Sequence, residues 1–430
     1  MQTIEGFDVF PLKFDAEGKL ESRQEFDAML TRAEDGPATD AIFLAHGFRN
    51  DESDAGTLYS RFLQTFRAHL SRPEFQTVAK RRFVVAAVYW PSKPFRETYG
   101  ASAAGTRGLQ NPTEAMAVVE DQLDDLKEGA SKAQRAKLEK AAALLPKLGG
   151  NARNQDEFVA LVLSIVDGSQ LDTTEGLPQI RKKKGSELLA RLSEAPAPRP
   201  GPGQAEGTRG IGNLFGGIAG GVGAFLNLTK WYVMKDRSGT VGAKGVATAV
   251  RELHDRCPAV KIHLVGHSLG GRLMASCTKA LGDTPLLQPD SLLLLEAAFS
   301  HYGFSADNGR GKPGFFRDVI ARKVVKGPFV STFSAQDTVV GGPYSIMSRL
   351  AGDNTREIGD AYDEYGGIGR NGALKTTEVA NSKLHVPGTA YDYQADVINN
   401  LDGSGGLIKD HGDVTNDAIT YAFASAVART

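Results

Sequence analysis

The stretch Lys261-Ile262-His263-Leu264-Val265-Gly266-His267-Ser268-Leu269-Gly270-Gly271 decides the fold. Its first five residues form an apolar run that reads as a buried strand. The run leads directly into Gly266-His267-Ser268-Leu269-Gly270, a G-x-S-x-G motif, and a small-residue helix leaves from Gly270. The motif alone is short enough to arise by chance; the strand before it and the helix after it make it specific. Such a tight strand-to-helix turn forces the serine into a strained backbone conformation. Only small residues two positions before and two after avoid a clash, hence Gly266 and Gly270. The serine oxygen then stands clear at the C-terminal edge of a sheet, and Gly271 lets the helix pack closely on it.

Outward from this turn the chain alternates strands and helices. Ala41–Ala45 is an apolar run ending at His46-Gly47, and Phe83–Tyr89 is another, ended by Trp90-Pro91. Between them Leu58, Phe62, Phe66 and Leu70 recur every four residues, a helical face. A helix at about 240–255 precedes the central stretch. Strands at Ser291–Leu295 and Pro328–Phe333 follow it, and a last helix starts at about Val414. This order predicts an α/β fold: a mostly parallel central sheet with helices on both faces. Residues 95–230 differ. Asn111-Pro112 opens a helix with Met116, Val119, Leu123 and Leu126 on one face, and Asn154 opens another with Phe158, Leu161, Val162 and Ile165. A basic run at Arg181–Lys184, a Pro-rich linker at Ala195–Gly203 and an uncharged, glycine-dense stretch at Gly210–Thr229 follow. The chain therefore divides into a core at 1–94, a largely helical cap insertion at 95–230 and the rest of the core at 231–430.

Val265-Gly266-His267-Ser268-Leu269-Gly270-Gly271 resembles the nucleophile elbow of the α/β-hydrolase superfamily, its esterases and lipases above all. The resemblance covers the core segments and not the insertion. It implies Ser268 as nucleophile, followed in chain order by an acid and a histidine. Three histidines follow Ser268: His301, His385 and His411. His411, in Lys409-Asp410-His411-Gly412-Asp413 before the final helix, resembles the family's histidine loop. Asp337, after the strand at 328–333, resembles its acid loop, with Glu296 at the end of the preceding strand as the rival. An oxyanion hole needs two N–H donors: one from Leu269 and one from Ala45-His46-Gly47-Phe48-Arg49, where Phe48 is the first choice and Gly47 the next. His267, beside the nucleophile, and Phe215 and Phe225, in the glycine-dense stretch, are expected at the substrate. The implied reaction is hydrolysis of a carboxylic ester, acyl or lipid-like, through an acyl-serine.

Composition bounds the rest. A net charge of −1 across 430 residues argues against nucleic acid as a partner. Cys257 and Cys277 make no disulfide framework and read as buried thiols in helices flanking the central strand. The first residues, Met1-Gln2-Thr3-Ile4-Glu5-Gly6, lack the charged and apolar regions of a signal peptide, so the cytoplasm is the default compartment, with export by another route left open. No H-E-x-x-H, C-x-x-C, EF-hand or dinucleotide-binding pattern occurs, so neither a metal nor a cofactor is expected. Gly210–Thr229 is long enough to span a bilayer, but seven glycines with Asn213 and Asn227 argue instead for a mobile lid or an apolar wall by the active site, with plain buried packing on the core as the alternative. Arg181–Lys184 is either a solvated helix face or a peripheral contact to anionic lipid. A membrane-acting phospholipase, exported as a toxin, and a non-catalytic binding protein on the same fold stand as alternatives; the oligomeric state is not legible.

Overall fold

The computed structural model describes residues 1–36, 38–48, 50–92, 112–194, 218–351 and 361–430. The chain forms two compact units, the first made of Met1–Lys93, Arg237–Gly341 and Gly366–Thr430, the second of Pro94–Asp236 and Gly342–Tyr365. Residues 342–365, which the sequence places with the core, thus belong to the second unit.

The first unit is built on one nine-stranded sheet. Its strands are β1 (Gln2–Ile4), β2 (Phe7–Lys13), β3 (Asp40–Ala45), β4 (Phe83–Tyr89), β5 (Lys261–His267), β6 (Ser291–Leu295), β7 (Phe329–Phe333), β8 (Val379–Lys383) and β9 (Ile398–Asp402). They lie in the order β1-β2-β4-β3-β5-β6-β7-β9-β8. Only β1 and β2 pair antiparallel; the other pairs are parallel. The chain goes from β3 outward to β4 and later returns to β5 on the other side of β3. Neighbouring connections therefore diverge at the β3/β5 pair, and the crevice beyond the C-terminal ends of such a pair is where parallel sheets place their sites.

The strands of the centre are apolar on both faces because helices cover both. The helix Glu52–Leu70 starts at a capping box between Asp51 and Asp54, which satisfies backbone N–H groups that a helix start leaves open. It buries Tyr59, Phe62, Leu63, Phe66 and Leu70, while Leu58 lies at the edge of this face. Phe62 and Phe66 pack on Phe423 of the final helix, with ring centroids 5.3 and 4.8 Å apart. Each such ring removed from water adds about 1.5–3 kcal/mol. The final helix itself begins at Asp417, capped by Asn416, three residues later than expected.

The helix expected at 240–255 is the end of a longer helical run: Ile218–Thr240, a π-helical turn at Val241–Val246, then Ala247–Arg256. A Cβ on Gly242 would lie 2.0 Å from the Leu273 carbonyl, and one on Gly245 would lie 2.5 Å from the Gly18 carbonyl. The widened turn falls where these two glycines bring the backbone against its neighbours. Cys277 is buried as expected, but Cys257 is half-exposed, because it terminates the helix instead of lying within it.

At the N-terminal edge of the sheet a buried polar set ties β3, β5 and β6 together. His263 bonds Ser291 at 2.8 Å and Asp40 at 2.9 Å, and Arg81 reaches Asp40 at 3.2 Å. Burial alone would raise the Asp40 carboxyl, but the bond and charge of His263, the bond from Thr39 and the charge of Arg81 outweigh it and hold the group below its ordinary range. Asp40→Asn is therefore expected to cost about 3–5 kcal/mol of stability at neutral pH, since it leaves buried partners uncompensated. A lowered folded pKa adds stability above the unfolded value of about 3.9, and that stability is lost as pH falls through the folded value. The deficit should accordingly shrink in acid. Denaturant titrations of both proteins at neutral and low pH check this, and an equal deficit at both contradicts it.

The second unit, among its described residues, is helical. Its helices include Pro112–Asp125, Lys132–Ala142, Ala152–Leu163 and Gly185–Glu194. Asn151, not Asn154, caps the third of these, its side chain accepting from the Asn154 N–H. Phe225 is fully buried, edge-on to Phe158 at 6.1 Å. Lys235 and Glu175 form a buried ion pair, and the Tyr344 hydroxyl donates to Glu175 at 2.8 Å.

Candidate active site

Ser268 has φ 56° and ψ −122°, a conformation that costs a non-glycine residue about 1–3 kcal/mol unless its surroundings impose it. Here they do. Its N–H donates to the Leu295 carbonyl of β6 at 3.0 Å, and its carbonyl accepts from Gly271, Arg272 and Ala298. Every glycine of the motif is sterically required. A Cβ on Gly266 would lie 2.2 Å from the Gly270 carbonyl, one on Gly270 would lie 2.3 Å from the Ala45 carbonyl, and one on Gly271 would lie 2.6 Å from Cβ of Ala297. Ser268 therefore tops β5 in a fixed attitude, 4% exposed, at the start of the helix Leu269–Leu281. The N–H of Leu269 is the first of that helix, a position with no intrahelical acceptor.

The loop after β3 runs directly past the serine. A Cβ on Gly47 would lie 2.8 Å from Cβ of Ser268. Three groups hold this loop. The Tyr59 hydroxyl accepts from the His46 N–H at 2.9 Å and donates to the Val88 carbonyl, and the Trp90 indole donates to the His46 carbonyl at 3.0 Å. The His46 ring stacks on Trp90 at 5.7 Å. Burial pushes His46 down to about 4, so the ring is neutral and its Nδ1–H donates to the Gly47 carbonyl at 3.0 Å. Phe48 is half-buried in the same loop. Tyr59 and Trp90 escape the sequence reading: Trp90-Pro91 reads only as a strand terminator, and Tyr59 falls off the four-residue spacing of its helix face.

The acid and the histidine come from the loops after β7 and β9. The Asp337 carboxylate is fully buried, and Nδ1 of His411 lies 2.8 Å from its Oδ2. The Val340 N–H bonds Oδ1 at 2.9 Å, and Arg370 donates to the Asp337 carbonyl at 3.2 Å. Among the described residues His411 is the histidine bonded to Asp337: His385 packs on Tyr391, and His301 lies beside Asn371. The His411 side chain is 12% exposed. No hydrogen bond joins it to the Ser268 hydroxyl. His267 turns to the His411 backbone, its Nε2 being 2.8 Å from the carbonyl oxygen.

The rival Glu296 is also fully buried at the end of β6, with φ 40°. Its Oε1 accepts from Thr332 at 2.9 Å. Burial first and the charge of Asp337 second push its carboxyl well above the ordinary range, so it is a neutral acid beside a carboxylate. A raised folded pKa means that stability falls as pH rises past the unfolded value of about 4.3, because only the unfolded chain releases the proton. Glu296→Gln should therefore melt higher than the parent at neutral pH, with the gain vanishing in acid. Thermal melts across that range check it, and an unchanged or lower melting temperature at neutral pH contradicts it.

No protein-family model, curated protein or solved structure matches the chain. What the chain can do chemically is thus read from this edge of the sheet alone. There the structure gathers Ser268, His411, Asp337, Gly47, Phe48 and Leu269, each on a loop or helix start that follows a parallel strand. Phe225 is in the interior of the second unit, and Phe215 lies outside the described residues. Among the described residues no group of three metal-binding side chains occurs, and no helix is long and apolar enough to cross a membrane.

Proposed function

We propose that the chain is a serine hydrolase of the α/β-hydrolase type that cleaves carboxylic esters through an acyl-serine intermediate. The observation that carries this reading is the strained backbone of Ser268 at the β5-to-helix turn. Strain at a hydroxyl-bearing residue, held by three glycines and a set of backbone bonds at the end of a parallel strand, supports a hydroxyl kept free at the sheet edge to react.

In this mechanism Nε2 of His411 accepts the Ser268 proton as the hydroxyl oxygen attacks the ester carbonyl. Asp337 accepts the Nδ1–H bond, which holds the ring in the tautomer that leaves Nε2 free and favours the imidazolium once it forms. The N–H of Leu269 and one from Gly47-Phe48 receive the developing oxyanion, each donor being worth about 10²–10³ in rate. The tetrahedral adduct collapses as His411 protonates the leaving alcohol. Water, deprotonated by His411, then releases the acid and restores Ser268. The neutral His46 ring and the Tyr59 and Trp90 bonds keep the oxyanion loop in place without adding charge.

Acyl or lipid-like esters are the proposed substrates. The test is turnover of p-nitrophenyl esters graded from acetyl to palmitoyl, with phospholipid vesicles alongside. Saturable release of nitrophenol is the expected result. Absence of turnover on the whole series, with the protein folded, contradicts the reading and favours a binding protein on this fold.

A further inference from the structure

We infer, on the footing of the triad proposed above, that His267 is a positioning residue for His411: it pins the His411 carbonyl and so holds the histidine loop against the nucleophile turn. The two rings lie 4.7 Å apart, tilted by 43°, and Nε2 of His267 is 2.8 Å from the His411 carbonyl oxygen. A carbonyl only accepts, so Nε2 carries the proton.

The other ring nitrogen supports this assignment. Among the described residues, Nδ1 of His267 is buried and has no hydrogen-bond partner. It faces the oxyanion loop, 3.1 Å from where a Cβ on Gly47 would lie. Protonating it would create an unsolvated cation facing His411 and His46. Burial first and the His411 charge second therefore push the group down to about 3, with a smaller contribution from His46. The ring is a neutral Nε2–H donor at neutral pH.

The His411 loop needs such a tie. Its flanks are anchored by Ser334 on the Ile408 carbonyl at 3.2 Å and by Asn416 on the Leu407 and Asp413 carbonyls at 2.8 Å each. Between them, the turn Lys409–Asp413 is closed by bonds from Lys409 N–H to Asp413 and from Gly412 N–H to Asp410, and the His411 side chain reaches outward to Asp337. The His267 bond links this turn to the residue next to the nucleophile, so a fixed distance along the chain becomes a fixed position for the base. Asp337 orients the imidazole; His267 sets the backbone from which it hangs.

The experiment compares His267→Phe, which keeps a ring and loses the donor, with His267→Gln, whose amide N–H reaches a similar point. The Phe variant should lose about 10–100-fold in kcat with KM within about threefold, the cost of a base displaced by an ångström or so. The Gln variant should recover about tenfold of that loss. A second arm uses ¹⁵N-histidine NMR on the parent protein. His267 should show the neutral Nε2–H form without titrating between about pH 5 and 8, where an unperturbed histidine does titrate. A Phe variant with parental kcat, a Gln variant no better than Phe while both melt normally, or a His267 signal that titrates near 6.5 or carries its proton on Nδ1 overturns the inference. Failure of the triad reading looks different: the parent then neither turns over esters nor reacts with a fluorophosphonate, while the NMR arm still decides the His267–His411 bond.

Discussion

Ser268→Ala is expected to lower ester hydrolysis by about 10⁴–10⁶-fold while leaving the protein folded. The size follows from the role. Without the hydroxyl no acyl-enzyme forms, and only binding and the oxyanion donors remain to act on the ester. The stability side follows from the geometry. Among the described residues the Ser268 hydroxyl bonds to no other group, and its backbone attitude is imposed by Leu295, Gly271, Arg272 and Ala298 through main-chain atoms that alanine keeps. The melting temperature should therefore change by no more than a surface substitution would bring, within about 0.5 kcal/mol. Combining Ser268→Ala with His411→Ala should be little worse than either alone, because members of one catalytic unit are not additive. Rates on purified variants, with circular-dichroism melts beside them, check this. More than a tenth of parental activity in Ser268→Ala contradicts it.

Asp337→Asn carries the second large effect, a fall in kcat of about 10⁴-fold. The Asp337 Oδ2 accepts from Nδ1 of His411 at 2.8 Å. An asparagine can present its NH₂ group there instead, which stabilises the tautomer with the proton on Nε2, and a base already protonated on that atom cannot accept from serine. Asparagine also removes the charge that favours the imidazolium. Because the Asp337 side chain is fully buried and also accepts from the Val340 N–H, a melt must accompany the rate. Glu296→Gln is the control, since that carboxyl is already neutral and bonds Thr332, not His411. A collapse of activity in Glu296→Gln with Asp337→Asn unaffected would move the acid to β6.

The middle of the sheet was legible because its strands are apolar runs ended by glycine or proline, as in Ala41–Ala45 and Phe83–Tyr89. The outer strands were not. β9 reads Ile398-Asn399-Asn400-Leu401-Asp402, and its two asparagines look like a turn. In the fold they are buried because Asn400 bonds the Ala373 backbone and Asn381, and Asn399 bonds Phe329 besides nearby Gln394; Ala373, Asn381 and Phe329 are too far along the chain to leave a local signal. The helix Ile218–Thr240 was hidden for the opposite reason: its glycines lower helix propensity, yet Gly221 is where the Leu189 carbonyl comes within 2.3 Å of a would-be Cβ, so close packing outweighs propensity. Phe225 on the same helix is fully buried against Phe158. At the site, Ser268, Asp337 and His411 were readable from chain order after parallel strands, whereas Tyr59, Trp90 and the backbone role of His267 depend on what lies across a gap.

Treatment of the parent protein with a fluorophosphonate, followed by intact-mass and peptide mass spectrometry, tests the central claim most directly. The account predicts one adduct per chain, on the peptide containing Gly266-His267-Ser268-Leu269-Gly270, lost in Ser268→Ala and slowed in His411→Ala. Absence of any adduct on the folded protein, or an adduct on another residue that persists in Ser268→Ala, contradicts it.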